Sequence, residues 1–429
     1  MSSRKALTLR SDLRAMFIDG MFYSVMVGVG ETYFSKFAVS LNLGEVAAAL
    51  IKTVPVVLGA CLQLMAPALL RRVGSYPRWC SLTAWAQGAM YLPLAGMALA
   101  APTLVPWLHE HGLKWVAGVV VFAIATLYWG AGLACGPAWS TLAGALVPQR
   151  LHASYFAWRT RWLQFATLLG ILLGGAFFGT SASDDQGVLV RFAILFSLAA
   201  GLRFVSAHYL GRYSHPRLGP EQERAVSGRE LASRLRASPA GRWMLYVAGA
   251  HVATQMAQAA LDPFMLEQLK AGGLGYSLLL AAWFGGKMLV YPMAGRYAAR
   301  RGSAALVRAG AIGLVLLPLY WLLKPDLPWL VAAQLVSGMC WGAWELGCVL
   351  MNYDAVPPRE RTSVYTWFSL VNETCKTGGS LVGSGIFAIA GAGFAGYAAA
   401  FVASSLARGA SAGGLAWAVR AGRSPKARP

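Results

Sequence analysis

Val147, Pro148, Arg150, Ser154, Trp158, Gly170 and Gly174 come back 209 residues later as Val356, Pro357, Arg359, Ser363, Trp367, Gly379 and Gly383, with no insertion between them. Seven identities in register over 28 positions exceed what two unrelated apolar segments share, so the chain is expected to fold as two like halves. Other fragments repeat as well. Leu43-Gly44 matches Leu274-Gly275, each with an acid 12 positions earlier, Glu31 and Asp262, and Trp129-Gly130-Ala131 returns as Trp341-Gly342-Ala343. The offset runs from 209 to 231 residues, so the loops of the two halves differ in length.

The repeated unit is apolar. Of the 429 residues 57% are hydrophobic and 13% charged, and the mean hydropathy is +0.52, outside the range of a water-soluble domain. Runs long enough to cross a bilayer fall at 13–38, 45–70, 79–105, 115–138, 160–181, 189–211, 243–266, 275–298, 303–323, 327–351, 363–390 and 393–419. The sequence therefore predicts an all-α integral membrane protein of twelve spans: an N-terminal six-helix bundle over 1–211, a linker over 212–242 and a C-terminal bundle over 243–429. The first run is long and carries Asp19 and Glu31, so it is expected to stay as a span, unlike a cleaved signal.

A net charge of +20 invites a nucleic-acid reading, but the basic residues alternate by side. With the N-terminus inside, 27 of them fall on the cytoplasmic face, among them Arg71, Arg72, Arg150, Arg300, Arg301 and Arg359, and 5 fall outside: Lys36, Lys114, Arg191, Lys270 and Lys324. That bias places both termini in the cytoplasm and explains the charge as topology, leaving no nucleic-acid partner to propose. Arginine outnumbers lysine 28 to 9, the habit of a GC-rich bacterium, so an inner membrane is expected. The linker carries seven arginines from Arg212 to Arg242; it is either a solvated strap whose charge attracts anionic lipid or a short amphipathic helix over Ser227–Arg236. Cys61, Cys80, Cys135, Cys340, Cys348 and Cys375 all lie in apolar runs without metal-ligand spacing, and read as small core residues.

Charges inside the membrane mark the candidate chemistry, because each costs about 2.5–3.5 kcal/mol at a helix centre unless it is paired or wet. His251, Gln255, Gln258 and Asp262 follow steps of 4, 3 and 4 and so share one face of the seventh run; Ser369, Glu373, Lys376 and Ser380 do the same on the eleventh. Such a stripe lines a cavity or joins helices, and Glu373 and Lys376 are also close enough to neutralise each other. Glu31 and Lys52 fall at matching depth and form a possible structural pair; an unpaired Glu31 would instead carry a proton. Asp262 has only the deeper Lys287 within reach, which makes it, with Glu31 and Glu373, a proton-coupling candidate. Glu345 is placed to bind a cation or hold a gate, and Asp19 to make a structural contact. Tyr128, Trp129, Trp341 and Trp344 are deep enough to stack on a flat organic molecule, or simply to pack.

In its twelve spans, repeated halves, central loop and paired basic loops the chain resembles the major facilitator superfamily over essentially its whole length. The connections VPQRLHAS and VPPRERTS are similar to that family's Pro-x-x-Arg-Gly loop. The family's acidic basic-loop motif is degenerate: Arg71 stands where an Asp is usual before Arg72 and Gly74, and Ala299 where one would precede Arg300, Arg301 and Gly302. The helix 4 arginine of proton-driven drug exporters is absent, Thr126 standing four residues before Gly130, and the helix 5 signature survives only as glycines at Gly170, Gly174, Gly175 and Gly179. The arginines of the basic loops are expected to find acceptors at helix C-termini.

What the resemblance implies is a secondary active transporter, a monomer that moves a small organic molecule by alternating access about a midplane site. Proton-coupled export of an amphipathic compound is the leading expectation. Uptake or facilitated passage of an organic anion on Lys52, Lys287 and Lys376 is the alternative, and a non-transporting receptor or assembly factor a third. No nucleotide-binding loop and no His or Cys cluster is present in the sequence, so neither an enzyme, a cofactor nor a metal is expected.

Overall fold

The computed structural model describes residues 3–179, 185–216, 219–265, 273–324, 326–391 and 393–419. Arg217, Lys270 and the basic tail from Arg420 to Arg428 lie outside them. Among the described residues every regular element is helical. Twelve long stretches follow one another: α1 (Leu7–Ser40), α2 (Val46–Val73), α3 (Tyr76–Glu110), α4 (Trp115–Leu146), α5 (Gln149–Gly179), α6 (Gly187–Leu210), α7 (Pro239–Pro263), α8 (Leu274–Arg301), α9 (Ser303–Leu323), α10 (Leu327–Ala355), α11 (Arg361–Ala390) and α12 (Phe394–Val419). Eight of them, α1 to α6, α8 and α9, are long and apolar enough to cross a membrane. The other four, of 25, 29, 30 and 26 residues, have the length but dilute their hydropathy with His251, Gln255, Gln258, Glu345, Glu373, Lys376 and Arg408. Large apolar side chains stand exposed along the spans, Leu99, Leu127, Ile194, Ile312, Ile389 and Leu406 among them, as lipid contact allows.

The chain divides into two compact units, residues 1–147 with 165–223, and 148–164 with 224–429, so the division falls inside α5. Each unit repeats the other's pairings. In the first, α2 packs on α4, α3 on α4 and α1 on α6; in the second, α8 packs on α10, α9 on α10 and α7 on α12. The first core is aromatic, built on Phe34, Phe37, Tyr91, Tyr128, Phe192 and Phe196. The second unit has one core around Trp243, Trp344 and Tyr365 and another around Phe264, Trp321, Tyr397 and Phe401.

The sequence repeat is also a repeat of backbone. Val147 and Val356 are both extended, ψ 123° and 122°, because a following proline excludes the helical region. Pro148 and Pro357 match within a few degrees, and each opens a single 3-10 turn, Gln149–Leu151 or Pro358–Glu360, before the next helix starts. The basic loops repeat in the same way. Arg71 and Arg72 occupy a last helical turn that Gly74 ends at φ 67°, and Arg300 and Arg301 another that Gly302 ends at φ 88°, both in the left-handed region that glycine enters without strain. All four arginines are exposed at negative helix termini.

The linker is held at both ends: residues 212–223 pack with the first unit, where the Ser214 amide donates to Asp12 at 2.9 Å, and residues from Arg224 pack with the second. Ser227 accepts a hydrogen bond from the Glu230 amide at 3.2 Å and starts a helix over Gly228–Arg234. Leu231 of that helix is buried in the Trp243 core. Trp367 donates its indole N–H to Val226 O at 3.0 Å, and Glu360 pairs with Arg224 at 2.7 Å and Arg234 at 3.6 Å. The cysteines are free among the described residues; five are buried or half-buried as expected, while Cys61 is exposed.

Candidate functional site

In the first unit α1 leaves regular helix after Val29, and Glu31 begins a 3-10 turn that ends at Tyr33. Gly30, at the break, lets the Tyr91 phenol come close, since a Cβ there would collide with it. Tyr128 donates to Glu31 Oε1 at 2.5 Å, Tyr91 donates to Tyr128 at 3.0 Å, and both hydroxyls also reach the Met26 sulfur, at 3.3 and 3.2 Å. Phe34 meets both tyrosine rings edge-on. A carboxyl thus opens onto a chain of hydroxyls inside an aromatic shell. Lys52 is exposed and makes no ion pair with Glu31 among the described residues, so of the two alternatives the unpaired acid stands, with a phenol as its partner. The same burial corrects the stacking reading of Tyr128, whose ring is fully enclosed; Trp129 is half-buried with its indole N–H unpartnered.

Below it Asp19 makes the structural contact expected of it. It accepts from Ser206 at 2.7 Å and Tyr213 at 2.9 Å, and Ser206 accepts in turn from Arg203, which also donates to Gln87 at 2.8 Å. All five polar groups are buried or enclosed, so each has to be satisfied inside the protein.

In the second unit Lys287 donates to both oxygens of Glu345, at 2.8 and 2.9 Å, and Tyr291 adds a contact at 3.4 Å. The ammonium also sits 3.8 Å from the Trp283 ring centroid. Glu345 is therefore the partner of Lys287, in place of the Asp262 that depth alone suggested, and it is engaged and not a free cation site. Asp262 stands one residue before the end of α7 at Pro263; its side chain lies outside the described residues.

The stripe on α7 divides. Gln255 and Gln258 line a cavity of about 310 Å³ together with Trp341 and Glu345, while His251 packs edge-on against Trp344. Trp344 is buried and donates to Tyr246 at 3.2 Å, so it packs, where contact with substrate was the other expectation. On α11, Lys376 donates to Glu373 at 2.7 Å: the two neutralise each other. Of the three lysines of the anion reading, one is thus exposed and two are held by carboxylates.

No protein-family model matches the chain, and no curated protein sequence matches it. Its three-dimensional arrangement does resemble solved structures. A bacterial homologue of the iron transporter ferroportin, in its outward-facing state, superimposes with a TM-score of 0.73 over 95% of this chain and 99% of that one, at 12% identity. The transporter FucP of the major facilitator superfamily, in its outward conformation, gives 0.68 over 94% and 98% at 13% identity. The human organic anion transporter MFSD10 gives 0.61 over 96% and 100%, also at 13%. The chain has the major facilitator superfamily fold.

Within that fold the repeated glycines are the points where helices meet backbone to backbone. A Cβ on Gly170 would strike Val25 O and Gly28 of α1; on Gly379 and Gly383 it would strike Val252 O and Met256 O of α7. Gly174 lies instead under the Tyr33 ring. Of the four glycines left from the helix 5 signature, Gly170 alone makes the backbone contact that the spacing implies; Gly175 is in ordinary contact with Tyr33 and Gly179 has nothing within 4 Å. Arg203, Arg408, Tyr91 and Tyr291 were not singled out from sequence, although Arg203 and Arg408 each stand inside an apolar run, the signal that picked out Glu31 and Lys287.

Proposed function

We propose that the chain is a proton-coupled secondary transporter of a small organic molecule, working by alternating access of its two six-helix halves, 1–211 and 243–429, in an inner membrane with both termini cytoplasmic. The observation that carries the coupling is the Glu31–Tyr128 hydrogen bond at the break in α1. A phenol hydroxyl both donates and accepts, so it serves Glu31 as a carboxylate and, after rotation, as a carboxylic acid. Tyr91 and Met26 offer the displaced phenol proton a second acceptor. No ammonium or guanidinium lies within ion-pair distance of Glu31 among the described residues, so nothing locks it in the charged state. Asp262, in the matching place of the second half, is the second candidate, and Glu373, already paired, the third. The anion reading loses support because Lys287 and Lys376 are engaged.

Purified protein in proteoliposomes, given an imposed pH gradient and a panel of lipophilic cations and organic anions, tests the reading. Substrate-triggered proton flux in the wild type that disappears in Glu31→Gln is the expected result, and the sign of the gradient that drives it gives the direction. Flux indifferent to pH and to Glu31 would defeat it; no flux with any compound would favour a receptor.

A further inference from the structure

The cavity of about 310 Å³ in the second unit is lined by α7, α8, α9, α10 and α12, and its size is that of sites for small organic ligands. Trp283, Trp321 and Trp341 supply aromatic walls, and Gln258 and Gln334 polar ones. Arg408, near the middle of α12, also lines it and is 8% exposed.

Arg408 is held by carbonyls. Nη1 donates to Leu314 O at 3.0 Å and Nη2 to Thr254 O at 3.2 Å, while the buried Nε–H has no partner. Leu314 O is available because Pro318, four residues on, has no N–H with which to close the helical bond. Carbonyl dipoles fix the guanidinium in place but return only a fraction of a charge. Among the described residues no carboxylate pairs with it, and Glu345, the acid that shares the cavity, is taken by Lys287. A fixed, whole positive charge is thus left on the wall of a ligand-sized, aromatic cavity inside a membrane bundle, where a charged side chain calls for a partner.

We infer that this cavity binds a small aromatic carboxylate, its acid group on the Arg408 guanidinium and its ring against the tryptophans. A single uncompensated charge matches a monoanion, and a flat apolar body matches indole walls. The site belongs to one bundle and is read out at equilibrium without a gradient, so it stands or falls apart from the coupling proposed above.

The test is quenching of tryptophan fluorescence in nanodiscs by 4-nitrobenzoate, with 4-nitrobenzamide and 4-nitrobenzylammonium as neutral and cationic probes of the same shape. Saturable quenching by the benzoate, at least tenfold tighter than by the other two and weakened at least tenfold in Arg408→Gln, is expected. Ser337→Phe, which fills the cavity and leaves Arg408 and its carbonyls in place, should abolish it. Equal quenching by all three probes in the wild type, or benzoate binding unchanged in a folded Ser337→Phe, would overturn the assignment. Because selectivity is read on the wild type, the answer does not depend on Arg408→Gln folding.

Discussion

The Tyr128 hydroxyl stands 2.5 Å from Oε1 of Glu31, across the point where α1 gives up its regular helix. Among the described residues no cation forms an ion pair with the acid, and it is tied to a group that reverses its own role, so its charge can change without breaking the contact.

Tyr128→Phe should therefore leave Glu31 in place but slow proton-coupled flux roughly 10- to 100-fold, the equivalent of one hydrogen bond to a charged group. Glu31→Gln should abolish net coupled flux altogether. A pH-sensitive dye inside proteoliposomes reports both; a Tyr128→Phe protein that pumps as fast as wild type would remove the hydroxyl chain from the mechanism.

Breaking the Lys287–Glu345 pair should be costly for stability. Lys287→Met is expected to destabilise by roughly 2–5 kcal/mol, toward the lower end because the Glu345 side chain is 35% exposed while that of Lys287 is 4% exposed. Lys287→Met combined with Glu345→Gln should recover much of the loss, since no bare charge remains. Melting temperatures of the purified single and double variants, compared in one detergent, decide this.

Glycines at helix crossings and glycines facing open space should separate cleanly. A Cβ on Gly286 would meet Leu335 O and one on Gly338 would meet Trp283 O, both backbone atoms, whereas Gly96 and Gly136 have nothing within 4 Å. Gly286→Ala and Gly338→Ala should lose the monodisperse peak in size-exclusion chromatography. Gly96→Ala should keep it and gain up to about 1 kcal/mol from the lower helix cost of alanine.

The linker should loosen when Glu360, in the turn before α11, loses its charge. Glu360→Gln removes the charge that holds both Arg224 and Arg234, so amide hydrogen exchange over residues 224–238 should quicken. Raising salt well above physiological strength should produce the same change in the wild type, because these exposed charges are screened. Exchange that ignores both would assign the docking to Trp367 and Leu231 alone.

Much of the fold was legible because it rests on length and repetition. Apolar runs set the spans, and Val147-Pro148 and Val356-Pro357 announced two identical turns through the steric rule that governs a residue before proline. The candidate site was legible in its members but not in its pairings. Glu31, Lys52 and Lys287 stood out as charges in apolar runs, yet Tyr128 and Glu345 became partners because of how helices are rotated about their axes, which hydropathy does not encode. Depth along the chain offered Lys52 for Glu31 and Asp262 for Lys287; azimuth chose otherwise. Arg203 and Arg408 were visible by the same criterion, but near-complete burial in a hydrogen-bonded setting became apparent only with the helices assembled.

Pro318 and Arg408 lie on different helices, yet the missing amide of one is answered by the guanidinium of the other. A chain that lost the proline would regain its own helical bond and leave the arginine with one reason fewer to be there, so the two positions should drift together in related sequences. An arginine that persists where the proline is gone would have to be kept by something other than the backbone.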